Sequence, residues 1–206
     1  MKNKGFTLIE FLVVLALIAI LASVLIVIIR PAEIFKRGRD AQRQGDLRIL
    51  SSAIDAYIAE RAQNVSLGWT ATCTNLYFSV PTTTVLPGWP YISPPLTTVT
   101  GTNSQAVNGT GWIPLNFSAV SFLNLPSLPL DPRNGQTIKV NGEDVIFAYA
   151  FACNPSNPES YKLCAKLEGS LPSMINDGGS RNCPFGYGIE SEDCLYETGP
   201  AKKDIY

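Results

Sequence analysis

Histidine is absent from the 206 residues. Its absence removes the commonest general base and metal ligand, and with it every Ser-His-Asp, Cys-His and zinc-imidazole arrangement. Net charge is nearly absent as well. The 16 Lys+Arg and 17 Asp+Glu leave −1, so no bulk electrostatic force drives the chain toward nucleic acid or anionic membrane. Charge is also missing locally in two very different stretches. Residues 62–130, 69 in a row, have no charged side chain and owe their solubility to Thr, Ser, Asn and Gly. Residues 11–29 have none either, but there the side chains are apolar apart from Ser23, over a length that can cross a bilayer. The remaining charges divide unevenly, nine basic and six acidic in residues 1–62 against seven and eleven in residues 63–206.

The apolar run does not follow the order of a cleaved secretory signal, in which the apolar stretch precedes the cut and is lost. The short basic opening Met1-Lys2-Asn3-Lys4-Gly5 leads directly into Phe6-Thr7-Leu8-Ile9-Glu10-Phe11-Leu12. This K-G-F-T-L-I-E followed by an apolar helix resembles the prepilin leader of type IV pilins and of the pseudopilins of type II secretion, over residues 2–29. The resemblance implies a peptidase cut between Gly5 and Phe6, N-methylation of the new Phe6 amine, and retention of the apolar helix as membrane anchor and later filament core. Gly5 suits such a step physically, because a residue without Cβ enters a tight protease cleft in extended form.

Glu10 is the residue whose chemistry matters most. A carboxylate at the bilayer centre costs about 3 kcal/mol on insertion scales, though near a helix end it can snorkel. The resemblance implies more: the Glu10 carboxylate of one subunit pairs with the Phe6 amine of its neighbour. That contact joins unlike patches, and a heterologous contact that does not close a ring builds a helical filament. Arg30, Lys36, Arg37, Arg39, Arg43 and Arg48 follow the apolar run, and counting them would leave the C-terminal part in the cytoplasm. Five cysteines and the leader outweigh that count and place the globular part outside.

Leu47, Leu50, Ile54, Tyr57, Ile58 and Arg61 recur at spacings of three and four, which predicts an amphipathic helix. One helix from Phe6 to about Ala62 would measure ~85 Å, with a kink or melting at Pro31 and weaker turns at Gly38 and Gly45. Short strands are expected at Leu76 to Val80 and Trp112 to Phe117. Asn141-Gly142 predicts a type I′ hairpin that sets Lys139 opposite Asp144 and Ile138 opposite Val145. A strand from Glu143 to Cys153 and another from Tyr161 to Leu167 complete a three-stranded antiparallel meander, with Val145, Phe147, Tyr149 and Phe151 facing the helix. The expected class is α+β, pilin-like, with a long transmembrane plus amphipathic helix packed on a small C-terminal antiparallel sheet. Its parts are the leader 1–5, transmembrane helix 6–29, amphipathic helix 30–62, uncharged connecting region 63–130, meander 131–168 and Cys-containing tail 169–206.

Leu128-Pro129-Leu130-Asp131-Pro132 and Phe147-Ala148-Tyr149 resemble the LP-x-DP and aromatic-x-Tyr pattern of pseudopilin-type globular domains. Major pseudopilins follow that pattern with G-x-P-Y and a calcium loop, from which Arg133-Asn134-Gly135-Gln136-Thr137 departs. Asp131, Asn134 and Asp144 offer oxygen ligands, but Asx turns are the expected role. Cys73, Cys153, Cys164, Cys183 and Cys194 lack C-x-x-C spacing and read as disulfide candidates in an exported domain. Cys183 with Cys194 would close a short loop, whereas alternation argues against Cys153 with Cys164; the identity of the leftover cysteine stays open. The sequons at Asn64, Asn108 and Asn116 are expected by chance in so Asn- and Thr-rich a chain. Glu190, Glu192 and Asp193 read as a solvated acidic loop.

No catalytic set, metal site or cofactor is expected. The resemblance implies a structural subunit whose partners are like subunits, a prepilin peptidase, and a membrane assembly platform with a cytoplasmic ATPase. It is expected to sit single-pass in the cytoplasmic membrane and then in a surface filament. The alternative is a membrane-anchored binding module that never polymerises and stacks a ligand on Trp69, Trp89 or Trp112. Nucleic-acid affinity there is expected to be weak for want of basic residues.

Overall fold

The computed structural model describes residues 6–29, 31–64, 67–87, 89, 97–140, 143–169 and 195–200. The chain divides into two compact units, residues 1–38 and 39–206. In the first, helix α1 (Leu8–Ile29) is apolar on every side, and its window Leu8–Ile26 has no buried share. Its 22 residues, at 1.5 Å each, give about 33 Å, the thickness of a bilayer's hydrocarbon core. Helix α2 spans Pro31–Gln63, so the helical stretch is two elements, with Arg30 between them outside the described residues. Pro31 is the first residue of α2, where its missing amide hydrogen would have had no helical acceptor. The helix continues through Gly38 and Gly45.

From Arg39 onward, α2 buries Asp40, Arg43, Leu47, Leu50, Ala53, Ile54 and Tyr57, a stripe at helical spacing. Full burial of Leu47, Leu50 and Ile54 stabilises by about 2 kcal/mol each, as an upper estimate. The stripe packs on a five-stranded sheet ordered β2-β1-β5-β6-β7, built from β1 (Asn75–Phe78), β2 (Thr98–Gly101), β5 (Tyr149–Asn154), β6 (Asn157–Ala165) and β7 (Tyr196–Thr198). The β1–β2 pair is parallel and the other pairs antiparallel. Tyr149, Phe151 and Cys153 of β5 join Tyr161, Leu163 and Ala165 of β6 in the helix-side core. Ala150, Ala152 and Cys164 belong to a second core on the far face, with Phe78, Trp89 and Val99. The class is thus α+β and pilin-like, with a mixed sheet.

Strands β3 (Thr137–Val140) and β4 (Glu143–Ile146) pair separately, with Ile138 opposite Val145 and Lys139 opposite Asp144. The Asn141-Gly142 turn lies outside the described residues. The stretch Glu143 to Cys153 is not one strand, and the meander is split between two sheets. Phe147 leaves the ladder: its amide donates to the Gln136 carbonyl and its carbonyl accepts from Gly135. Beyond it β5 is captured by β1, with Tyr77 opposite Phe151. Alternation alone cannot sense this exchange of neighbours. Strand β6 begins earlier than expected, with Asn157 opposite Asn154, because Pro158 falls beside a register irregularity and beyond the reach of β7. Trp112 to Phe117 is not a strand; it ends in a 3-10 turn, Phe117–Ala119, and buries Trp112, Ile113, Leu115 and Phe117 in the helix-side core.

A Cys73–Cys153 disulfide ties the segment before β1 to β5 across 80 residues. Cys164 is buried on the opposite face, and Cys183 and Cys194 lie outside the described residues. Cross-linking so long a loop restricts the unfolded chain and is worth roughly 4–5 kcal/mol as an entropic upper estimate. Thiol counting on the denatured, unreduced chain should therefore find at least Cys73 and Cys153 unreactive. Five reactive thiols would contradict an oxidised, exported domain.

Candidate functional site

The N-terminal segment carries the first candidate site. Phe6 is 72% exposed, and Gly5 lies outside the described residues. Thr7 precedes α1 and forms a capping box with Glu10. The Thr7 amide and hydroxyl both donate to Glu10 Oε2 at 2.8 Å, and the Glu10 amide donates back to Thr7 Oγ1 at 3.3 Å. Two amides at the start of the helix are satisfied by each other's side chains. The spacing Thr-x-x-Glu was legible at residues 7–10 and sequence reasoning passed over it. Both hydrogen bonds that the Glu10 carboxylate accepts from Thr7 are made by Oε2, and Oε1 accepts no hydrogen bond among the described residues.

The second site is a buried charge cluster within residues 39–206. Asp40 and Arg43 stand one turn apart on the buried stripe of α2. The Arg43 guanidinium, wholly buried, donates through Nε and Nη2 to Asp131 at 2.7 and 2.9 Å, and through Nη1 to Asp40 at 2.7 Å and Glu168 at 2.9 Å. Arg39 reaches Glu168 at 2.6 and 2.5 Å, and Arg133 adds a 3.2 Å contact. The Phe147 ring lies 4.6 Å below the Arg43 guanidinium carbon. Three cations and three carboxylates therefore balance, and the Asp40 oxygens also take the amides of Glu168 and Gly169.

Burial would raise the Glu168 carboxyl, but hydrogen bonds from Arg39 and Arg43 outweigh it and hold it down at about 2. Burial pushes the Asp40 carboxyl up, with the Glu168 amide and Arg43 pulling against it. Burial would lower the Arg43 guanidinium, yet Asp131, Asp40 and Glu168 keep it above its ordinary value. The cluster sits where α2, the Asp131 turn and the end of β6 meet, and further ties follow along the helix. Tyr149 donates to Asp46 at 2.8 Å, Tyr161 to Asp55 at 2.8 Å, and Arg61 pairs with Glu159 at 2.9 Å.

This geometry answers several expectations. Asp131 accepts from the Arg133 amide as an Asx turn, while both its oxygens serve Arg43. Asn134 is bonded to Ser79 and Asp144 to Lys139, so each of the three candidate oxygen donors is engaged within the protein. Arg39 and Arg43, counted as a cytoplasmic signal, instead serve the globular unit. Trp89 and Trp112 are buried and donate to the Ile146 and Pro129 carbonyls, and Trp69 is half-buried against Tyr57. Glu190, Glu192 and Asp193 lie outside the described residues.

Residues 1–26 match the family model of the prokaryotic N-terminal methylation motif. That motif is the type IV pilin and pseudopilin leader. The match ends inside α1. No curated protein and no solved structure matches the chain. The motif supports a type IV pilin-like, prepilin-processed protein and indicates a structural rather than a catalytic role. It suggests pilin subunits and a prepilin peptidase as partners, and with the exposed apolar α1 it fits membrane anchoring of an outward globular domain.

Proposed function

We infer that this chain is a filament subunit of a type IV pilus: cut between Gly5 and Phe6, methylated on Phe6, and polymerised through α1. The observation that carries the reading is the methylation motif lying on an apolar helix none of whose span is buried. An apolar face that large needs a bilayer before assembly and other helices afterwards. Glu10, whose Oε1 accepts no hydrogen bond among the described residues, is the proposed partner of a neighbour's Phe6 amine. Assembly then draws on a membrane platform and its cytoplasmic ATPase, and the product is a filament at the cell surface.

A pilus is favoured over the major pseudopilus by one feature. Where the pseudopilin pattern calls for a calcium loop after LP-x-DP, Asp131 here is tied to Arg43 at 2.7 Å and Asn134 to Ser79. The non-polymerising binding module loses support because Trp89 and Trp112 are core residues. The decisive measurement is the intact mass of protein taken from its native cell. Loss of Met1 to Gly5 with one added methyl on Phe6 is expected. An unprocessed N-terminus in a cell with active peptidase would refute the assignment.

A further inference from the structure

We propose that Asn108 is a site of spontaneous self-modification, in which its side chain closes on the Gly109 amide to form a succinimide that water opens to isoaspartate or aspartate. Two Asn-Gly pairs lie wholly within the described residues, Asn108-Gly109 and Asn134-Gly135, and the fold treats them oppositely. Asn134 is pinned at both ends: Oδ1 accepts from the Ser79 hydroxyl at 2.7 Å and Nδ2 donates to the Ser79 carbonyl at 2.8 Å. The Gly135 nitrogen, its would-be nucleophile, donates to Phe147 at 2.9 Å. Cyclisation there requires three hydrogen bonds to break first.

Asn108 is exposed, and among the described residues its carboxamide is held only by its own turn. Oδ1 accepts from the Thr110 hydroxyl at 2.7 Å and the Thr110 amide at 3.2 Å. Two donors on that oxygen draw electron density from Cγ and are placed to stabilise the oxyanion of a tetrahedral intermediate, as donors in an oxyanion hole do. The turn folds the side chain back over the following peptide. Gly109 has φ +90 and no side chain to shield its nitrogen. Asn116 separates the two requirements. Its Oδ1 also accepts a hydroxyl, from Ser118 at 2.6 Å, but the next residue is the buried Phe117.

The chemistry balances without a cofactor. The Gly109 nitrogen bonds to Asn108 Cγ, the Cγ–Nδ2 bond breaks, and ammonia leaves with the amide proton. Water then attacks one of the two imide carbonyls, and the bond from that carbon to the Gly109 nitrogen breaks as the nitrogen takes the proton, giving isoaspartate from the Asn108 Cα-side carbonyl or aspartate from Cγ. The product puts a carboxylate into a stretch of 69 residues that has no charged side chain. In the isoaspartyl form the backbone gains a methylene at the Asn108–Asn116 bridge.

The test is peptide mass mapping of the full chain in detergent, held in mildly alkaline buffer, with isoaspartate read by enzymatic methylation. In the folded chain Asn108 should convert at least about tenfold faster than Asn134 or Asn116, since Asn134 must first lose its hydrogen bonds. In the chain unfolded by denaturant Asn108 and Asn134 should react alike, which would assign the contrast to the fold. Thr110→Val, at an exposed position, should slow Asn108 several-fold and leave Asn134 unchanged. Equal rates at Asn108 and Asn134 in the folded chain would overturn the proposal. So would native protein carrying a glycan on Asn108, whose sequon Asn108-Gly109-Thr110 would then be in use, because the substituted Nδ2 is no longer free to leave as ammonia.

Discussion

Replacing Arg43 with methionine should destabilise the globular unit by about 3–5 kcal/mol and lower its thermal midpoint by roughly 10 °C. Methionine fills much of the same volume over the Phe147 ring, so packing is largely kept. Lost are four hydrogen bonds and the cation that compensates Asp131 and Asp40, both of which stay buried. Glu168 keeps Arg39 and Arg133. The pH dependence distinguishes a charge effect from a packing effect. In the wild type, Glu168 is held at about 2 against an ordinary value of 4.5. Its contribution is therefore complete above about pH 4.5 and is lost as the pH falls from there toward 2. Asp40 moves the other way, because its folded value is raised and protonation relieves its burial. In Arg43→Met, Asp40 loses the cation that pulls its carboxyl down while its burial remains, so its folded value rises further and acid should stabilise the variant relative to the wild type. Thermal unfolding of both chains between neutral pH and pH 4 reads this as a narrowing gap. A gap that stays constant over that range would mean the loss is one of packing alone.

This cluster also shows what the sequence could and could not reveal. The stripe Leu47, Leu50, Ile54, Tyr57 was legible because a helix repeats its buried face every three or four residues. Extending the same spacing backward reaches Arg43 and Asp40, and charged residues in stripe positions are themselves a sign of a buried pair. The identity of the partners was out of reach, since Asp131 and Glu168 lie 88 and 125 residues further along. The β3–β4 register was readable for the opposite reason: an Asn-Gly pair between two short apolar runs is a local hairpin signal in the sequence, and it predicts Lys139 opposite Asp144 as observed. Strand β2 is a parallel neighbour of β1, set by tertiary contacts that Thr98-Val99-Thr100 does not encode. Cys73 found Cys153 through the same non-local geometry. At the N-terminus the whole candidate site was visible, because leader, acid and cap fall within a few residues.

Glu10→Ala and Glu10→Gln should both abolish filaments while leaving the membrane-held pool undiminished. The pair separates two roles that alanine alone confounds. Glu10 closes a capping box with Thr7 and is also the proposed charge for a neighbouring Phe6 amine. Alanine removes both functions. Glutamine keeps an oxygen that can accept from the Thr7 amide and hydroxyl, so the cap survives and only the charge is lost. Either change removes an ionisable group from an apolar segment, which makes insertion easier, so insertion and assembly should move in opposite directions. The experiment expresses each variant in a strain lacking the native subunit and compares membrane-fraction protein with sheared, pelleted filaments. If the ion pair drives assembly, glutamine should fail as completely as alanine. Wild-type filament yield from Glu10→Gln with loss in Glu10→Ala would reassign Glu10 to capping the helix. Full yield from both would remove it from assembly altogether and leave α1 packing as the force that holds subunits together.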